Sequence, residues 1–359
     1  MEDFTAGTTQ AQSTKRQSAI DPTFEERVHQ LVVDWGAEKA PELIEEIIIT
    51  ALKMARDRMG AGDLKLMNRS LKEMRYAAKI FSGFRQFRKV CVFGSARTPP
   101  SEPQYRVAEE FAREMVRQHF MVITGGGDGI MGAAQRGAGR ENSFGLNIRL
   151  PFEQQANETI HGDQKLINFN YFFTRKLNFV KETHAFALFP GGLGTMDEAF
   201  EVLTLMQTGK ARIIPVVLLD RPDGTYWQTW LKFLTEHLHK FGYIDSDDYH
   251  FFKIMPNVPA AVEEILHFYR IYQSSRWVGE QLAIRLVRKL TPEAVAALNQ
   301  NFSDVVRTGE IVQCGPLRQE RNEPEIWDLP RLVLIPHRRS FGRMRQFIDA
   351  INASETVKE

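Results

Sequence analysis

Cysteine is almost absent: Cys91 and Cys314 are the only two in 359 residues. Two cysteines cannot build a disulfide framework or a cysteine-rich zinc site. Long apolar runs are missing as well. Ile213 to Leu219 is strand-sized, far short of the roughly 18 residues a transmembrane helix needs. Neither charge sign is in excess, since 46 Lys and Arg stand against 45 Asp and Glu, a net charge of +1. That balance gives no broad basic footprint for nucleic acid. The first residues hold a Thr-, Gln- and Ser-rich stretch with no apolar signal-peptide core. A cytoplasmic protein in a reducing compartment is expected, with neither a membrane nor a nucleic-acid partner. Internal repeats are not detectable. The Gly-Lys-Ser/Thr of a P-loop and the His-Glu-x-x-His of a zinc protease do not occur. Asp245-Ser246-Asp247-Asp248 lacks the glycine and distal glutamate of a calcium loop. No metal is expected.

What is present is an ordinary globular composition, 43% apolar and 25% charged, enough for a sizeable core. Residues 1–20 are polar and read as a disordered tail. From Thr23 to Phe84 apolar residues recur at three- and four-residue steps, as in Phe24, Val28, Leu31 and Val32, with a break at Gly60-Ala61-Gly62. This predicts a helical N-terminal layer of about three helices over residues 21–87. At Arg88 the period changes. Short apolar runs (Val90 to Phe93, Met121 to Ile123, Phe144 to Leu150, Ala185 to Phe189, Ile213 to Leu219) alternate with amphipathic helical segments. Strand–helix alternation over residues 88–273 predicts a doubly wound, Rossmann-like parallel sheet. The alternation fades after Ser274, and residues 274–359 read as a small α+β element.

Three of the strands run into loops of small residues. Gly94-Ser95-Ala96 follows the first, Gly125-Gly126-Gly127-Asp128-Gly129 the second, and Pro190-Gly191-Gly192-Leu193-Gly194-Thr195 the fourth. Glycine at a strand end lets a ligand approach backbone amides, and the following helix N-terminus favours an anion such as phosphate. In a doubly wound sheet the first and fourth strands meet at the switch point, so the first and third glycine loops would flank one crevice. The bland alternative is three tight strand-to-helix turns. Gly127-x-Gly129-x-x-Gly132 is formally a dinucleotide fingerprint, and Glu153 lies 21 positions beyond Gly132, near the offset of a ribose-binding acid. The pattern follows the second strand rather than the first, so NAD binding is the weaker reading.

Arg175 and Lys176 precede the fourth strand, and Glu198 follows the third loop. Thr195 as a helix N-cap would place Glu198 at the third helical position, the Thr-x-x-Glu capping box. In isolation, then, Glu198 reads as a cap and Arg175-Lys176 as a solvated pair. Together the segments say more. Pro190 to Glu198 matches PGGxGTxxE, Arg175-Lys176 matches the Arg-Lys pair before it, and Gly125 to Gly132 is similar to GGGxxGxM. In these motifs residues 88–270 resemble the LOG ("Lonely Guy") family, phosphoribohydrolases of nucleoside 5′-monophosphates that include cytokinin ribotides and were long mislabelled lysine decarboxylases.

The resemblance implies hydrolysis of an AMP-like nucleotide or cytokinin ribotide to free base and ribose 5-phosphate, without a cofactor. Arg175 and Glu198 would be the catalytic pair. Gly94, Ser95, Gly125, Gly126, Gly127, Asp128, Lys176, Gly191, Gly192, Gly194 and Thr195 would bind substrate. It also implies a homodimer or larger assembly. Phe172-Phe173 stands where the plant-type sequence has Met-His, which bears on base specificity. The chemistry is sensible on its own terms, because cleaving an N-glycosidic bond builds oxocarbenium-like charge that a carboxylate can stabilise. Two other functions fit the glycine loops: a non-catalytic carrier of a nucleotide or pterin cofactor, and an NAD-linked oxidoreductase. His239-Lys240 suggests a pyridoxal phosphate lysine only superficially, lacking any partner for the pyridine nitrogen. Arg338, Arg339, Arg343 and Arg345 read as a solvated basic helix face.

Overall fold

The computed structural model describes residues 22–150, 155–320, 324–337 and 339–357. The expected tail and Glu153 therefore lie outside the described residues. The described chain forms two compact units that divide between Arg69 and Ser70.

In the first unit, helices α1 (Pro22–Asp34) and α2 (Pro41–Arg56) are joined by His29 Nδ1 and Glu45 Oε1 at 2.7 Å. Helix α3 (Ala61–Ser82) begins here and ends in the second unit. No helix among the described residues is long and apolar enough to cross a membrane.

The second unit is built on a seven-stranded parallel sheet. Its strands are β1 (Lys89–Phe93), β2 (Met121–Thr124), β3 (Ser143–Ile148), β4 (Leu166–Phe169), β5 (Ala185–Leu188), β6 (Val216–Leu218) and β7 (Phe252–Ile254). Their order is β4-β3-β2-β1-β5-β6-β7, so the winding reverses between β1 and β5. This is the doubly wound arrangement. Side-chain alternation explains how both faces are covered. Val90, Val92, Ala185 and Ala187 enter one core with helices α4 (Pro103–Arg117), α5 (Ile130–Ala138) and α9 (Val258–Phe268). Cys91, Phe93, Phe186 and Leu188 enter the other, with the end of α3, α6 (Phe172–Glu182), α7 (Leu193–Gln207) and α8 (Tyr226–Phe233).

A four-stranded antiparallel sheet follows, of β8 (Tyr272–Val278), β9 (Gln281–Leu286), β10 (Val306–Cys314) and β11 (Arg331–Pro336), in the order β10-β11-β9-β8. Helix α10 (Pro292–Asn301) joins its two hairpins, and α11 (Phe341–Ala353) closes the chain. Leu282, Ile284, Leu332 and Phe347 share one continuous core with α4 and α9. Asn352 stitches the junction: its Oδ1 accepts from the Ile271 and Tyr272 amides at 2.9 Å, and its Nδ2 donates to Phe268 O at 2.6 Å. Glu320, fully buried, accepts from Arg285 Nε at 2.8 Å and Arg331 Nε at 3.0 Å.

Several local expectations are corrected. Helix α9 stops at Phe268, and β8 begins at Tyr272, where no strand was expected. Its residues are mostly half-buried and polar, so no apolar alternation marks them. The short strands β4 and β7 also went unsignalled. The supposed basic helix face is not one. Arg345 is buried and paired with Glu264 and Asp349, while Arg343 is paired with Asp304. Arg338 lies outside the described residues, and Arg339 is exposed.

Candidate functional site

The crevice at the β1/β5 reversal is where an open α/β sheet presents ligand sites, and the glycine loops converge there. Ser95 N donates to Pro190 O at 3.1 Å, which ties the loop after β1 to the loop after β5. Ile130 N donates to Ser95 O at 3.0 Å, which ties in the loop after β2. Two glycines are needed for this closeness. A Cβ on Gly129, whose φ is +64°, would lie 2.3 Å from Ser95 O, and one on Gly191 would lie 2.1 Å from Thr195 Oγ1. Neither position can take a side chain without moving backbone or the start of α7.

Arg175 and Glu198 are brought together. Arg175 Nη2 donates to Glu198 Oε1 at 3.0 Å, and both side chains are largely buried. Arg175 Nη1 lies 4.0 Å from the position a Gly125 Cβ would take. The guanidinium lies near two rings, with its carbon 5.1 Å from the Phe172 centroid and 5.5 Å from that of Phe179. Arg175 Nε is buried and has no acceptor among the described residues, a state that natural proteins seldom tolerate without a ligand or solvent partner.

Burial pushes Glu198 up, to about 7; Arg175 and Lys176 oppose this, while Glu201 and Asp197 add to it. A carboxyl poised near neutrality can exchange a proton in either direction. Lys176 is engaged elsewhere, with Nζ 2.8 Å from Asp197 Oδ2 and 3.0 Å from Glu201 Oε2. Burial lowers its proton affinity, but these two carboxylates outweigh that and hold it above the ordinary lysine range.

The capping expectation for Glu198 fails. Helix α7 starts at Leu193 with Gly192 as its N-cap, so Thr195 is already inside the helix and Glu198 a turn beyond the end. Its carboxylate meets Arg175 instead. The early start leaves the first amides of α7, around Leu193 and Gly194, without intrahelical acceptors. Asp128 takes a different position. It lines a polar cleft of about 430 Å³ with Arg97, Thr98, Arg136 and Asn157, whose walls include neither Arg175 nor Glu198.

Sequence reasoning missed two residues that shape the loops. Buried Asn157 donates through Nδ2 to Gly126 O at 3.0 Å and Gly127 O at 2.8 Å. Tyr226 of α8 donates its hydroxyl to Gly191 O at 2.6 Å. Neither lies in a motif, and only the tertiary fold brings them to the loops.

Fold and site together define a Rossmann-like α/β protein with a buried Arg–Glu pair at its switch point. Residues 131–265 match the family profile described as "Possible lysine decarboxylase". The chain is 29% identical over 205 residues to probable cytokinin riboside 5′-monophosphate phosphoribohydrolase LOGL9 of Oryza sativa subsp. japonica, covering 55% of this chain and 87% of that protein. It is 28% identical over 204 residues to cytokinin riboside 5′-monophosphate phosphoribohydrolase LOG5 of Arabidopsis thaliana, covering 55% and 86%. Among solved structures, the molybdenum cofactor carrier protein of Chlamydomonas reinhardtii is 20% identical over 49% of this chain and 94% of that one, with a TM-score of 0.33. The resemblance read from PGGxGTxxE thus holds: over about half its length the chain is similar to LOG-family proteins.

Proposed function

We propose that this protein hydrolyses the N-glycosidic bond of a nucleoside 5′-monophosphate, an AMP-like nucleotide or a cytokinin ribotide, to free base and ribose 5-phosphate. The observation that carries the reading is the buried Arg175–Glu198 pair beside converging glycine loops. Water adds at the anomeric carbon as the bond to the base breaks, and the base leaves with a proton. Glu198, as carboxylate, stabilises the positive charge that grows on the ribose and takes the proton from the attacking water. Arg175 fixes that carboxylate and offers its remaining donors to the nucleotide. The first amides of α7 and the loop around Gly191 and Gly192 hold the phosphate.

The names of the relatives support this substrate class. We extend the proposal to a cytoplasmic homodimer or larger assembly. Phe172, Phe173, Leu177 and Leu193 are about half or more exposed on α6 and α7, apolar surface suited to a second subunit. Light scattering should show a species heavier than the 41.2 kDa chain; a monomer alone at micromolar concentration would refute the assembly.

The activity is tested by incubating the protein with a panel of 5′-monophosphates and the matching nucleosides, following free base by chromatography. Monophosphates should be cleaved far faster than nucleosides. Equal cleavage of AMP and adenosine would refute phosphate recognition. Tight binding without base release would favour a carrier.

A further inference from the structure

We propose that Glu73 is a positioning residue: from α3 it fixes the first turn of α6 and so holds Arg175 against Glu198. The inference rests on the hydrolase reading only for its kinetic consequences.

Glu73 is buried, 8% exposed, on the part of α3 that belongs to the sheet-containing unit. Among the described residues no cation pairs with it. Its partners are all at the entrance to α6. Oε1 accepts from Asn170 N at 2.9 Å and from Asn170 Nδ2 at 2.7 Å, and Oε2 accepts from Thr174 Oγ1 at 2.5 Å. A buried carboxylate without a cation is costly unless its oxygens are hydrogen-bonded. Here the helix N-terminus adds a favourable field. Helix α6 has no side-chain cap of its own, because its N-cap residue is Tyr171. Glu73 therefore pins the start of α6 from another helix, through Asn170 just before it and the Thr174 hydroxyl in its first turn.

Its neighbour adds a second fixture. Asn178 Nδ2 lies 3.2 Å from Met74 Sδ and also donates to Thr174 O at 2.8 Å. Thr174 and Asn178 bracket Arg175, so consecutive residues of α3 hold α6 on both sides of the arginine. Phe172, whose ring flanks the guanidinium, sits in the same first turn. Freeing that turn would shift the arginine and its aromatic flank together. None of this could be read from the compact family motifs, because α3 precedes them in the chain.

The consequence reaches Glu198 through charge. The groups acting on its carboxyl are Arg175 and Lys176 from α6 and Asp197 and Glu201 from its own helix, with the Cys91 thiol of β1 in the same field. Arg175 is the leading opponent of the upward push from burial. If Arg175 drifts away, Glu198 keeps its proton to higher pH. A Glu73 that merely glued α3 to α6 would lower the melting temperature and leave that titration unmoved.

The experiment follows Glu198 by carbon-13 carboxyl NMR in the full-length protein, its signal assigned by its loss in Glu198→Gln. In Glu73→Ala the Glu198 midpoint should rise by about one pH unit, and turnover at pH 7 should fall about tenfold. Glu73→Gln keeps an oxygen for Asn170 and can donate to Thr174 Oγ1, so it should restore the midpoint and most of the turnover. If the alanine variant does not fold, Glu73→Asp withdraws the carboxylate by one methylene and should give a smaller upward shift. An unchanged midpoint in a folded Ala or Asp variant overturns the proposal. A wild-type protein that cleaves no nucleotide refutes the hydrolase reading, while the titration still decides the positioning.

Discussion

Replacing Glu198 with glutamine should move activity and stability in opposite directions. An ordinary glutamate titrates near 4.5, and burial carries Glu198 to about 7. Between those values the folded protein keeps a proton that the unfolded chain has released, so folding stability falls as pH rises from 4.5 to 7. Above pH 7 the full cost is present. At 1.36 kcal/mol per unit, this shift is worth about 3 kcal/mol. Glutamine resembles the protonated form and cannot ionise. Glu198→Gln should therefore be more stable than wild type by up to about 3 kcal/mol at pH 8.5, and close to wild type at pH 4.5. Turnover should fall about a hundredfold or more, equivalent to roughly 3 kcal/mol of lost transition-state stabilisation. Urea unfolding at both pH values and base release at pH 7.5 measure the two effects on one preparation. A pH-independent stability difference would show that the carboxyl is not strained by burial. Near-normal turnover would remove Glu198 from the mechanism.

Three further outcomes follow from the packing. Gly129→Ala puts a Cβ against the Ser95 backbone at a positive φ, so it should destabilise by about 2 kcal/mol or more, read as a lower melting temperature with lost activity. Glu320→Ala leaves Arg285 and Arg331 buried without their shared carboxylate. It should cost about 3–5 kcal/mol in urea unfolding, and a loss below 1 kcal/mol would mean the guanidiniums find other partners. Tyr226→Phe removes the hydrogen bond to Gly191 O; it should lower folding stability by about 1 kcal/mol in urea unfolding and also weaken binding of monophosphate.

Much of the fold was legible because the sheet strands are buried on both faces and read as short apolar runs, Val90 to Phe93 being one. Strand β8 was not, because residues such as Gln273, Ser274 and Ser275 carry no apolar alternation and its partner β9 supplies the order. At the site, Arg175 and Glu198 were reachable through their motifs. The helix start was not. Thr195 is a good cap residue, yet the N-cap of α7 falls three residues earlier, at Gly192, which has an extended conformation. Glu73, Asn157 and Tyr226 act through distant contacts that no local pattern announces. The arginines of the last helix misled for the same reason, since their partners Glu264 and Asp304 lie far back in the chain.

The Asn352 stitch bears on how such a chain can be cut or recombined. Its side chain satisfies two amides and one carbonyl at the exit from α9, the last helix of the sheet-containing half. A fragment ending near residue 273 would leave those three backbone groups without that side chain and open the continuous core that Leu282, Ile284 and Phe347 share with α4 and α9. The C-terminal sheet is thus a structural dependency of the Rossmann-like half, not a detachable passenger. Transplanting this sheet onto another α/β core therefore means transplanting its apolar seat as well.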